Sequence, residues 1–302
     1  MKKIELNPLG VFLCFIGFAL LAAVFMAALA MLIVLVNNGM FSMEKLQDPN
    51  MLQEVLRQKN ALLIIQSFSA IGMFLIPCLL VPSLFKGYGF NQSLGLNKPK
   101  LIGMLWSGTL IFFGVLMLTG ILHEINQLVP APDYWVEKEA QNLAMQKLLI
   151  QGEGLPALFA AIFVVAVLPG VLEELTFRGL GMHIIKRMFK NAHIAVIVQA
   201  ILFSVVHFNV TQLLPIFGIG LLFGYLAHYS GSIWYGVLIH FLNNSFAVVS
   251  LFYEDKYEWA KKLASEEHLT LLSYTTGLAI LVLGIFLFIK SVKAEPKTLN
   301  YE

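Results

Sequence analysis

Long apolar runs dominate the chain, broken by short polar stretches. A helix needs about 20 mostly apolar residues to cross a bilayer. Runs of that kind lie at roughly 9–36, 61–85, 101–122, 155–185, 192–208, 212–228, 232–252 and 269–289. The pattern predicts an all-α polytopic membrane protein with about eight transmembrane helices. The fourth run is long enough to project beyond the bilayer, and the fifth and sixth are short, as expected of a bundle wrapped around a cavity. Lys2 and Lys3 precede the first run, as in a signal peptide. That run is too long for a signal peptide's apolar region and lacks a small-residue cleavage site, so it reads as a retained span. No long-period repeat, low-complexity tract or second domain is visible, and residues 1–302 are expected to form a single membrane-embedded domain.

The polar stretches alternate in charge. Loop 86–100 carries Lys86, Lys98 and Lys100 without an acid, and loop 186–193 carries Lys186, Arg187 and Lys190 without one. The tail sets Lys290, Lys293 and Lys297 against Glu295 and Glu302. With Lys2 and Lys3, these segments share one side of an eight-span chain. The balanced stretch 37–60 and the acid-rich stretches 124–153 and 253–268 fall on the other. The positive-inside rule then places both termini in the cytoplasm, with the cell membrane as the expected location. After Pro130 and Pro132, an amphipathic stretch sets Val136, Ala140, Leu143 and Met145 to Leu149 on an apolar side. It reads as an interfacial helix, a lid or a plain connector.

Composition agrees with this class. The chain is 58% hydrophobic and 13% charged, about half the charge of soluble domains. Its formal net charge of +2, with no basic stripe, argues against a nucleic-acid partner. Cys14 and Cys78 stand apart in apolar runs, so neither a disulfide framework nor a thiolate metal site is expected.

Of the 20 basic and 18 acidic side chains, only Glu173, Glu174 and Arg178 fall within a span. A charge at the bilayer centre costs about 2.5–3.5 kcal/mol even on the lenient insertion scale. Glu174 and Arg178, four apart in the favoured order, can neutralise each other on one helix face. Glu173 points about 100° away and has no local cation, which leaves a desolvated carboxylate suited to acid–base work. Just before it, Pro169 and Gly170 free helix backbone, either as a plain kink or where the helix faces a watery cavity.

Two other spans carry polar residues of catalytic type: "LFSVVHF", with Phe203 and His207 four apart, and "GVLIHFLNNSF", with His240 and Asn244 on one face. Measured from the basic end of each helix, Glu173 lies about 18 Å deep, His207 about 22 Å, His240 about 13 Å and Asn244 about 20 Å. A single buried His or Asn is more often a packing residue that bonds a neighbouring helix. Four polar groups from three spans at one depth point instead to a buried functional site. His123, His183, His193, His228 and His268 sit at span ends or in loops and stay outside it. "HEINQ" at 123–127 begins like a zinc-protease motif but lacks the second histidine.

The ordered trio Glu173-Glu174-xxx-Arg178, Phe203-xxx-His207 and His240-xxx-Asn244 resembles the CPBP family of intramembrane proteases, also called the CAAX protease or Abi family. The resemblance covers roughly residues 155–250, the expected catalytic core, and the family's eight-helix core suits the span count. It implies hydrolysis of a peptide bond in a membrane-associated or lipidated peptide or protein, with membrane lipid as the surrounding partner. Carried over by position, Glu173 would be the base that activates water, with His207 helping to hold that water. His240 and Asn244 would stabilise the oxyanion, and Glu174 with Arg178 would brace the helix. Metal use is open: Glu173, His207, His240 and Asn244 could hold zinc, or the carboxylate and histidine could act without a metal, the arrangement favoured here. Two other readings stand beside this one. A scaffold or bacteriocin-immunity protein could keep the fold without catalysis. A secondary transporter would also bury charge, but it should show inverted repeats.

Overall fold

In the computed structural model, residues 3–264 and 270–293 are described. Lys2, His268, Glu295, Lys297 and Glu302, used in the arguments above, lie outside them. The fold is carried by helices α1 (Pro8–Asn37), α2 (Lys59–Leu84), α3 (Leu101–Gln127), α4 (Asp133–Ile150), α5 (Gly154–Phe189), α6 (Ala192–Val205), α7 (Leu213–Ser230), α8 (Trp234–Tyr253) and α9 (Leu271–Lys293). Among the described residues there is no strand, only the isolated bridges Ile4–Phe85 and Leu96–Ser232. The protein is all-α and polytopic, as the apolar pattern predicts.

Seven helices among the described residues are long and apolar enough to cross a membrane: α1, α2, α3, α5, α7 with the turn before it, α8 and α9. The fifth predicted span, α6, has only 14 residues and rises about 21 Å. Its two ends nevertheless lie at the same two ends of the bundle as those of the longer helices. Near its start, Arg187 Nη1 donates to the Gly87 carbonyl at 2.6 Å, and Asn97 Nδ2 donates to the Gly231 carbonyl at 2.8 Å. Lys3 reaches the Pro82 carbonyl, and Glu5 pairs with Lys86. The basic segments therefore gather at one end of the bundle. Beyond the other end of α6, Asn126 Nδ2 donates to the Val210 carbonyl at 3.1 Å, Lys147 pairs with Glu254 at 2.7 Å, and Lys59 donates to the Gln151 carbonyl. With α6, eight helices among the described residues run from the basic end of the bundle towards the other, one of them short.

Local chemistry sets the helix ends. The Asn7 side chain accepts from Gly10 N at 2.7 Å, with Pro8 preset in the first turn of α1. Between α5 and α6, Lys190 takes a left-handed conformation (φ 54) and the Asn191 side chain accepts from the His193 and Ile194 amides. Gly231, with φ 65, closes α7.

The stretch 133–150 is a helix. Glu139 accepts from Gln212 Nε2 at 3.2 Å, and Lys138 lies 5.5 Å from the Phe208 ring centre. Its last residues, Leu149 and Ile150, are buried, and Ile150 packs with Leu158, Ala161 and Val248. α4 is thus anchored at its C-terminal end and rests on the turn between α6 and α7.

Candidate active site

α5 is wound loosely on both sides of its acidic pair. Phe163–Val167 and Leu175–Gly181 are π-helical, a form that tends to mark functional positions. Pro169 has no N–H to offer the Val165 carbonyl four residues back. Asn244 Nδ2, on α8, donates to that carbonyl at 3.1 Å. On the opposite side, Thr176 Oγ1 donates to Phe74 O at 3.0 Å, inside a π-helical turn of α2. Loosened backbone in a membrane persists where a neighbouring helix satisfies it: α8 does so for α5 through Asn244, and α5 does so for α2 through Thr176.

Two glycines set how closely α5 and α8 approach. A Cβ at Gly170 would stand 3.3 Å from the Phe241 amide nitrogen, tighter than ordinary packing. A Cβ at Gly236 would overlap Glu174 Oε2. Without a side chain at 236, the carboxylate fits against α8 with no exposed surface. Sequence reasoning missed Gly236, although it lies four residues before His240 and therefore on the same helix face.

Glu174 Oε1 accepts from Arg178 Nη1 at 2.8 Å and from His240 Nδ1 at 3.1 Å. The first bond is the predicted pair, with both side chains fully buried. The second links α5 to α8 and was not foreseen. A carboxylate only accepts, so Nδ1 of His240 carries the hydrogen and its Nε2 is turned towards Glu173, 4.0 Å from Oε2. Glu173 is 13% exposed, and its Oε2 has no hydrogen-bond partner. One imidazole therefore stands between two adjacent carboxylates that point to different faces of α5.

The motif phenylalanine also has a contact role. Phe203 lies beneath the Arg178 guanidinium, 4.1 Å from its carbon, and meets the His207 and His240 rings at 4.7 and 6.4 Å. An aromatic face attracts a guanidinium, most strongly when water is excluded. Phe203 thereby joins all three motifs at one point.

His207 stands apart from the hydrogen-bonded group. It occupies the turn just past α6, is exposed, and its Nδ1 donates to the Phe203 carbonyl at 2.6 Å. A carbonyl only accepts, so Nε2 of the neutral ring is an acceptor. Asn244 keeps one amide hydrogen beyond its bond to Val165, and its Oδ1 lies 3.5 Å from Asn243 Nδ2. Of the predicted residues, Glu173, Glu174, Arg178 and His240 form one cluster, while Asn244 and His207 flank it. Among the described residues, no three His, Cys, Asp or Glu side chains are placed to hold a metal ion.

Residues 155–246 match the family model described as type II CAAX prenyl endopeptidase, Rce1-like. The matched stretch holds all three motifs and agrees with the resemblance read from them. No curated protein and no solved structure matches the chain.

Proposed function

From the Rce1-like domain that this integral membrane protein carries at residues 155–246, we propose that it is an endopeptidase that uses a glutamate-activated water on a membrane-associated or lipidated peptide. The observation carrying this reading is His240 set between Glu174 and Glu173, beside an unpartnered Glu173 oxygen. The proposed orientation puts the basic end, and both termini, in the cytoplasm.

In the proposed reaction Glu173 Oε2 takes a proton from a water that His207 Nε2 helps to hold. The resulting hydroxide adds to the peptide carbonyl. Negative charge on the former carbonyl oxygen meets the free amide hydrogen of Asn244 and, on a doubly protonated ring, Nε2–H of His240. Fixed donors aimed at developing charge are worth more in a dry site than in water. Glu173 then returns its proton to the leaving amine as the C–N bond breaks, which regenerates the carboxylate. Glu174 and Arg178 are positioning residues: Arg178 neutralises Glu174, and Glu174 fixes which nitrogen of His240 faces the substrate. No step passes through a metal.

The test is cleavage of a quenched fluorogenic peptide, with and without an S-prenyl cysteine, by protein reconstituted in liposomes. Cleavage by wild type that is lost in Glu173→Gln supports the reading. Undiminished cleavage by that variant sinks it. The two peptides separate a lipidated substrate from a plain one.

A further inference from the structure

The basic end of the bundle holds a cavity of about 550 Å³. Its wall includes Lys186, Arg187, Lys190, His183, His228 and Ser93, and no Asp or Glu lines it. Glu5, at the same end of the bundle, is paired with Lys86. An excess of cations on one side of a membrane protein is ordinary. Spread over an open surface, such cations would serve topology alone. Here they converge on one concave space, where low-dielectric walls focus their field.

The wall is built rather than incidental. Arg187 is held by its bond to the Gly87 carbonyl and lies over the Tyr88 ring at 4.5 Å. Ala192 and Ala195, in the first turn of α6, add the positive end of a helix dipole. The Ser93 hydroxyl, on a residue 1% exposed, has no hydrogen-bond partner. An unused hydroxyl beside converging cations at the end of the spans suits a compact, multiply charged oxyanion at headgroup level.

We propose that this cavity binds a phosphate group, carried by the headgroup of an anionic phospholipid or free in solution. Arg178, paired with Glu174 in the cluster described above, also lines this cavity, whereas Glu173 and His240 do not, and the proposal does not depend on the proteolytic reading. Detergent-purified protein would be titrated with phosphatidylglycerol, phosphatidylcholine and inorganic phosphate, with bound ligand read by native mass spectrometry and melting temperature. Saturable binding of phosphatidylglycerol over phosphatidylcholine is expected. Lys186→Gln with Lys190→Gln should weaken it about 30-fold, the loss expected for two cations facing an anionic headgroup. Lys186→Arg with Lys190→Arg should keep it, so a general folding defect is distinguishable. Competition by inorganic phosphate assigns a soluble anion to the same site, and its failure to compete assigns the lipid. Equal binding of both lipids, no saturable binding, or an equal loss in the exposed Lys98→Gln control overturns the proposal.

Discussion

Two helix pairs in this bundle approach closely through glycine, to different ends. α3 and α9 meet where Gly114 faces Leu281, Gly277 faces Met117 and Gly284 faces Ile111. Small residues there let apolar side chains interlock, the usual way helices associate without a hydrophobic driving force. α5 and α8 meet where Gly170 faces the Phe241 backbone and Gly236 faces the Glu174 carboxylate. The same device admits a packed side chain in one pair and a buried charge in the other. Close approach alone therefore says little about chemistry; what fills the space decides.

The comparison can be broken or sharpened by substitution. The largest effect is expected at Glu173→Gln: loss of about 10³-fold in turnover, within the range for a general base, with an unchanged melting temperature. Arg178→Leu should come next. It leaves Glu174 buried without its cation and should cost about 3–5 kcal/mol in a denaturation assay. Adding Glu174→Leu should recover much of that stability without restoring cleavage, because His240 Nδ1 then has no acceptor. Gly236→Ala and Gly114→Ala set the two glycine contacts side by side. Each overpacks its interface and should cost about 1–3 kcal/mol. Only Gly236→Ala should lower activity per folded molecule. Equal activity in both would remove the distinction drawn between the pairs. The smallest effect belongs to Lys147→Gln, which breaks a partly exposed pair and should shift stability by less than about 1 kcal/mol.

The helices were legible because burial in lipid demands uninterrupted apolar length. The exceptions have polar causes. Hydropathy ends the third span near residue 122, yet α3 continues to Gln127 because Glu124 accepts from Tyr274 and Asn126 bonds Val210. The fifth span was read to residue 208, but α6 stops at Val205 and leaves His207 in a turn. Within the site, spacing alone exposed the Glu174–Arg178 pair, a contact inside one helix. The bond from His240 to Glu174 joins residues 66 apart, and no periodicity encodes it. Nor does a regular helical wheel reveal where α5 widens. Asn244 therefore read as a candidate oxyanion donor, whereas the structure also gives it the Val165 carbonyl left by Pro169.

The shortness of α6 bears on a reagent rather than a residue. Hydrolysis consumes water, which the hydrocarbon layer, about 30 Å thick, excludes. A rise of about 21 Å leaves the crossing to be completed by a polar turn, or by a membrane thinned to meet it. Either way, hydration reaches further inward beside His207 than along the full-length helices. A local hydrophobic mismatch thus becomes a supply route, and lengthening α6 with apolar residues would place a dry barrier between the proposed reaction and its solvent.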